Sequence, residues 1–280
     1  MTITRRQATD LLDRYDLRPS RALGQNFVVD PNTVRRIARL AAIEPGDHVV
    51  EVGAGLGSLT LALAEAGAVV TAVELDRHLL PVLEEVLADA EPAPTIVHGD
   101  AMSLDWPRVL AGADRWHLVA NLPYNVATPL VLDVLDGVPA IDRMLVMVQR
   151  EVGERLAADP GTAAYGIPSV KVAYWAQAEV VGRVGPTVFL PRPKVESVLV
   201  RIVRRAAPAT TADPERLFAL VRAGFGQRRK MLRRSLHDLV DASAFAAAEV
   251  TPESRAEELS VTQWGRLASG PAPADAPGGR

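Results

Sequence analysis

The segment that most restricts the fold lies between Asp47 and Ala64. Asp47-His48-Val49-Val50-Glu51-Val52 has the apolar run of a buried strand, and Gly53-Ala54-Gly55-Leu56-Gly57-Ser58 follows it. Leu59, Leu61, Leu63 and Ala64 then set a helical pattern. A strand that enters a helix through a glycine-rich turn opens a crossover unit, which predicts a mostly parallel sheet with helices on both faces. Glycines in such a turn let backbone approach a ligand closely and point the first N–H groups of the helix at it. The spacing here is Gly-x-Gly-x-Gly. It departs from the Gly-x-Gly-x-x-Gly dinucleotide fingerprint, which disfavours a nicotinamide dehydrogenase.

Three further strand ends carry chemistry. Val69–Val73 ends in Glu74-Leu75-Asp76, and an acid about 20 positions past the glycines is placed to bind two ribose hydroxyls. Thr95–His98 ends in Gly99-Asp100-Ala101, where Asp100 could accept a hydrogen bond from an adenine amine. Singly, Glu74 and Asp100 fit solvated strand-end acids as well. Trp116–Ala120 ends in Asn121-Leu122-Pro123-Tyr124. The Asn121 amide oxygen and the Leu122 carbonyl can each accept from an exocyclic amine. Pro123 fixes the direction of that carbonyl, and Tyr124 offers a face for a flat base. The tetrapeptide alone equally fits a strand-ending turn with Tyr124 packed in the core. In open α/β sheets, however, ligands bind at this edge.

Together these segments resemble the ordered motifs of S-adenosylmethionine-dependent methyltransferases acting on amino groups. The chain is most similar to the ribosomal RNA adenine dimethyltransferases, which modify two adjacent adenosines near the 3′ end of small-subunit (16S) rRNA. Leu23-Gly24-Gln25-Asn26-Phe27-Val28, Pro186 to Ser197 (which holds Phe189-Leu190-Pro191-Arg192-Pro193) and Phe225 to Leu236 carry the same likeness, from about residue 18 to about 268. The resemblance implies a Rossmann-like α/β methyltransferase sheet with a small C-terminal all-helical domain. It implies S-adenosylmethionine as cofactor and S-adenosylhomocysteine as product, and a late step of small-subunit biogenesis. It assigns Glu74 to the ribose, Leu75, Asp100 and Ala101 to the adenine side, Gly53 and Gly55 to the methionine part, and Asn26 and Val28 to a lid over it. Val28 stands where the pattern usually has Leu. Asn121, Leu122, Pro123 and Tyr124 would hold the flipped base, with Phe189 over its other face.

Composition bears on the partner. The formal net charge is −3, yet from Leu220 to Leu236 there are six basic residues and no acid. Affinity for phosphates follows local contacts, so Arg222, Gln227, Arg228, Arg229, Lys230, Arg233 and Arg234 are the expected RNA-binding residues. A solvated basic helix face would look the same in sequence. The Gln227–Lys230 stretch favours the small-subunit branch over the sister branch that methylates large-subunit rRNA. An assembly or transcription factor on the same fold is a further alternative, to which the intact Asn121 and Glu74 are opposed. There is no cysteine, and His48, His78, His98, His117 and His237 lack metal-ligand spacing, so no metal is expected in catalysis. No apolar run could span a bilayer and no signal peptide precedes the first strand, which predicts a soluble, cytoplasmic protein, taken as a monomer.

The domains expected are 1–205 for the catalytic part, with an N-terminal helix and basic loop over 1–30, and 213–268 for the helical part. Residues 206–212 read as a linker and 269–280, rich in Pro, Ala and Gly, as a disordered tail. Met144–Val148 reads as a fifth strand, and Val170–Val181 and Ser197–Val203 as later ones.

Overall fold

In the computed structural model, residues 2–271 are described. The chain divides into two units, Met1–Gly153 with Ala178–Arg204 and Glu154–Gln177 with Arg205–Arg280. The first unit holds α1 (Arg5–Arg14), β1 (Phe27–Val28), α2 (Pro31–Leu40), β2 (His48–Val52), α3 (Ser58–Glu65), β3 (Val69–Glu74), α4 (Leu80–Leu87), β4 (Thr95–His98), α5 (Trp106–Val109), β5 (Trp116–Asn121), α6 (Ala127–Gly137) and β6 (Ile141–Gln149). After α7 (Arg150–Leu156), whose residues are divided between the two units, the chain returns as β7 (Ala176–Val184), β8 (Phe189–Leu190) and β9 (Ser197–Arg204).

The main sheet has the order β4-β3-β2-β5-β6-β9-β7. Strands β4 to β6 pair in parallel, with Val50 opposite Thr71 on one side and Leu118 on the other. Between β6 and β9 the pairing turns antiparallel, with Leu145 opposite Arg201. Helices on both faces explain why Trp116–Ala120 and Met144–Val148 are continuous apolar runs rather than alternating ones: every residue of each run is buried. The helices start where side chains can cap them. Asp30 accepts from Thr33 N–H ahead of Pro31, at the start of α2. At α3 the cap is Gly57 with φ +82°, a left-handed conformation that suits glycine and closes the glycine turn against the helix.

The chain builds outward from β2 to β3 and β4 and then crosses to β5 and β6 on the other side, so the strand order reverses between β2 and β5 and opens a crevice at the carboxyl ends of the strands, the place where such sheets take ligands. β1 and β8 form a separate two-stranded ribbon, Phe27 opposite Leu190 and Val28 opposite Phe189.

The second unit is helical, with α8 (Ile167–Trp175), α9 (Pro214–Gly226), α10 (Leu232–Ser235), α11 (Ala242–Ala247) and α12 (Val261–Ser269). Trp264, Leu217, Leu220, Val221, Leu232 and Leu236 are at the centre of its core. Gly224 belongs to that core as well. A Cβ there would lie 2.7 Å from Trp264 Cη2, so the glycine lets α9 and α12 approach, while Gly226 ends α9.

Three expectations change. Val170–Val181 is not one strand: α8 covers Ile167–Trp175 and β7 starts at Ala176. The β-branched valines suggest extended chain, but Gly166 N–H donates to Ser169 Oγ at 3.0 Å, and Val170 and Tyr174, one helical turn apart, are buried in the second core. Residues 154–177 accordingly cluster with the helices, not with the sheet-bearing unit in which a boundary at 205 would place them. Residues 206–212 are packed rather than free, since Ala209 N–H donates to the Tyr174 carbonyl at 2.9 Å and Ala212 is buried. Of the expected tail, Ser269 ends α12 and the Gly270 carbonyl accepts from Arg216; residues 272–280 lie outside the described ones.

Candidate active site

The crevice holds a cavity of about 170 Å³, all within the first unit. Its walls come from the loop before β1 (Ala22 to Phe27) and from the carboxyl ends of β2 (Val52, Gly53, Gly55), β3 (Val73, Glu74, Leu75), β4 (Gly99 to Met102) and β5 (Asn121 to Val126). One concavity thus collects Asn26, Gly53, Gly55, Glu74, Leu75, Asp100, Ala101, Asn121, Leu122, Pro123 and Tyr124 from five stretches of sequence.

Glu74 is buried at the end of β3 and receives two backbone N–H groups, from Gly55 at 2.7 Å and from Asp76 at 2.8 Å. Burial nevertheless raises its pKa above the ordinary carboxylate value, and these two donors only moderate the rise. The first contact explains the glycine turn. Gly55 has φ +59° and a Cβ would stand 2.9 Å from Phe27 Cδ1, so only glycine brings its N–H to the carboxylate. Asp100 is exposed and accepts from Met102 N–H at 2.9 Å, a tight local turn that shapes the β4 end.

At the β5 end the orientation of Asn121 is fixed. Its Nδ2 donates to the Asn26 carbonyl at 2.9 Å, which leaves Oδ1 as the acceptor. Leu122 N–H donates to the Met147 carbonyl at 3.1 Å and ties the turn to β6. The Tyr124 hydroxyl lies 3.0 Å from Ser197 Oγ, and burial raises its pKa, so the phenol stays protonated. Beneath the glycine turn, Glu51 is buried, takes a hydrogen bond from Thr60 Oγ1 at 2.6 Å, and has its pKa pushed up to about 8 by desolvation.

Two residues expected at the site do not line this cavity. Phe189 is fully buried in the hydrophobic core of the first unit, and its backbone pairs with Val28 in the β1–β8 ribbon. Its side chain is packed and is not part of the cavity wall. Val28 is buried in the same core and likewise does not line the cavity, although Asn26, two residues earlier, does. The cavity wall also contains residues outside the expected set: Gln25, Met102 and Asn125. Met102 and Leu75 are large apolar side chains left more than a third exposed, a burial pattern that sequence alone does not reveal. Gln25 adjoins Asn26 in the Leu23–Val28 segment, and its partner Asp76 is 51 residues away. The expected RNA-binding residues Arg222, Gln227, Arg228, Arg229, Lys230, Arg233 and Arg234 are all exposed on the second unit.

An acid placed for ribose hydroxyls, a glycine turn that opens the floor and two exposed apolar side chains at the β3 and β4 ends suit a nucleoside bearing a short amphoteric chain. The acceptor pair at the β5 end suits an amine. A family model described as ribosomal RNA adenine dimethylase matches residues 18–270. Among curated proteins, the "Ribosomal RNA small subunit methyltransferase A" of Streptomyces coelicolor is 50% identical over 269 residues, covering 92% of this chain and 93% of that protein. The protein of the same name from Kineococcus radiotolerans is also 50% identical, covering 95% and 91%. Among solved structures, the 23S rRNA methyltransferase ErmE matches with a TM-score of 0.69 at 27% identity, over 86% of this chain and 98% of that one. A dimethyladenosine transferase from Plasmodium falciparum shares the fold with a TM-score of 0.70 at 22% identity, over 85% and 94%.

Proposed function

The chain belongs to the ribosomal RNA adenine dimethylase family, and from that premise we propose that it transfers methyl groups from S-adenosylmethionine to the exocyclic amines of two adjacent adenosines near the 3′ end of 16S rRNA, giving dimethyladenosines. The observation that carries this reading is the committed amide of Asn121, whose NH2 is held by Asn26 so that its oxygen is an acceptor in the cavity that also holds Glu74.

S-adenosylmethionine, when bound, supplies a sulfonium methyl and a neutral thioether leaving group. Glu74 would hold its ribose hydroxyls, Asp100 and Ala101 the adenine edge with the apolar Leu75 and Met102 beside it, and Gly53, Gly55 and Asn26 the methionine part. The nucleophile needs help, because an adenine amine shares its lone pair with the ring. Asn121 Oδ1 and the Leu122 carbonyl accept its two hydrogens and favour a pyramidal nitrogen with the lone pair free to attack. Neither acceptor is a strong base, and the Tyr124 phenol is protonated, so positioning and electrostatics carry the rate. The cationic methylated nitrogen then loses its proton to water. Tyr124 stacks on the base, which must leave its own stack to enter.

The basic residues of the second unit supply the backbone contacts, and the substrate is rRNA held in a ribosomal particle. The protein acts as a cytoplasmic monomer late in small-subunit biogenesis. The relatives at 50% identity bear small-subunit names whereas the large-subunit structure stands at 27%, which favours the small subunit. The test is to mix the protein with methyl-labelled S-adenosylmethionine and undermethylated small or large ribosomal subunits, then identify the modified nucleoside. Dimethyladenosine in small-subunit RNA is expected. Label confined to the large subunit, or absent from both, would overturn the proposal.

A further inference from the structure

The loop from Ser20 to Asn26 is a closed ring with two outward hooks. Its ends meet at Gln25: Gln25 N–H donates to the Ser20 carbonyl at 3.0 Å, and Ser20 N–H donates to Gln25 Oε1 at 2.7 Å. Gly24, with φ +65°, turns the ring and lies against Pro123, where a Cβ would come within 3.3 Å of the proline Cβ. One hook is Gln25 Nε2, which donates to Asp76 Oδ2 at 2.9 Å. Asp76 follows Glu74 by two residues, and its N–H donates to the Glu74 carboxylate. The other hook is the Asn26 carbonyl, which receives Asn121 Nδ2.

The two hooks sit on adjacent residues, so the ring joins the acid at the β3 end to the amide at the β5 end. Gln25 is the only member whose side chain uses both a donor and an acceptor in this, one closing the ring and one fastening it. Resting on the reading of this cavity as the cofactor and amine site, we infer that Gln25 is a positioning residue that couples the two halves. It fixes the Asn26 carbonyl, hence the Asn121 amide, through an anchor next to the ribose-binding acid. Without that anchor the Asn26 carbonyl is held only from the ribbon side, by the pairing of Phe27 with Leu190, and by the contact of Asn26 Nδ2 with the Gly24 carbonyl at 3.1 Å, so the orientation of Asn121 loosens and the loop closes the methionine side less firmly. No group is transferred through Gln25; its effect is geometric.

Two variants separate this role from simple packing. Gln25→Ala removes both bonds and should lower kcat about tenfold or more while raising the KM for S-adenosylmethionine several-fold, with little change in the Tm of the free protein. Gln25→Glu places a carboxylate against Asp76 at high pH, where it repels, and regains a donor when protonated. Its kcat/KM, and its affinity for S-adenosylhomocysteine by calorimetry, should therefore recover relative to the native protein as pH falls from about 7 to about 5, where a glutamate raised above its ordinary pKa of about 4.3 by the facing Asp76 takes up a proton. Kinetic constants for Gln25→Ala within twofold of native, or a Gln25→Glu pH profile parallel to the native one in both readouts, would overturn the inference. If the native protein binds S-adenosylhomocysteine but methylates neither subunit, the substrate reading fails, and the binding profile of Gln25→Glu still decides the role of Gln25.

Discussion

Asn121 and Asn26 are 95 residues apart in sequence, and the side-chain amide of the first donates to the backbone carbonyl of the second at 2.9 Å. An asparagine amide can present either end, and this contact removes the ambiguity. Replacement by aspartate keeps the size but exchanges the donor for a second acceptor facing the Asn26 carbonyl. Asn121→Asp and Asn121→Ala should each lower kcat for methyl transfer by about 10²–10³-fold, the loss expected when an oriented polar group is removed from a reacting centre. Binding of S-adenosylhomocysteine, measured by calorimetry, should weaken by less than about fivefold, because Glu74, the acid proposed for the ribose, is untouched. Equal loss of binding and rate would mean that Asn121 serves the cofactor alone.

Gly55 gives the cleanest steric test. An alanine there would need the left-handed backbone and would meet Phe27 at 2.9 Å, and escape would pull the N–H away from Glu74. Gly55→Ala should destabilise the fold by about 1–3 kcal/mol and weaken S-adenosylhomocysteine by about tenfold or more. Gly161→Ala is the control: φ is +83° but no heavy atom lies within 4 Å of the added carbon. It should lose only about 1 kcal/mol and leave cofactor affinity unchanged.

Glu51 predicts an unusual pH dependence. Desolvation raises its pKa from 4.5 to about 8 in the folded chain. Between those values the folded protein holds a proton that the unfolded chain has released, so the contribution of Glu51 to stability falls as pH rises through this window. Glu51→Gln keeps an acceptor for Thr60 and removes the titration. Its Tm should match the native value near pH 5 and exceed it by about 3 °C or more at pH 8.5, as followed by circular dichroism. A constant difference across pH would show that Glu51 does not carry the proton.

What could be read from sequence was local. Each of the strand ends at Gly53, Glu74, Asp100 and Asn121 sits beside its own apolar run, and the rule that parallel sheets gather ligands at one edge brings them together without further information. The contacts that finish the site were not legible. Gln25 reaches Asp76 across 51 residues and Tyr124 reaches Ser197 across 73, and no periodicity reports such pairs. The burial of Phe189 and Val28 is not legible in sequence for the complementary reason. A motif fixes which residues lie in a segment but not which way each side chain turns, and the β1–β8 ribbon turns both into the core. In α8 the valines carried strand propensity, and packing of Val170 and Tyr174 in the helical core outweighed it.

The basic surface of the second unit makes a graded prediction. Arg228 pairs with Glu257 at 3.3 Å and Arg233 with Glu253 at 3.0 Å, whereas among the described residues Arg229, Lys230 and Arg234 form no ion pair. All are exposed, so each pair is worth little to stability, but a cation already faced by a carboxylate neutralises an RNA phosphate less completely. With binding to undermethylated small-subunit RNA measured over a range of salt, Arg229→Ala and Lys230→Ala should each reduce the slope of log K against log salt by about 0.7–0.9. Arg228→Ala and Arg233→Ala should reduce it by less, because each of these guanidinium groups is already partly neutralised by Glu257 or Glu253 and releases fewer counterions on meeting a phosphate. Affinity for S-adenosylhomocysteine should stay at the native value in all four. Slopes unchanged throughout would remove this surface from RNA binding, and a larger loss at Arg228 than at Arg229 would show that its pairing with Glu257 opens on contact with RNA.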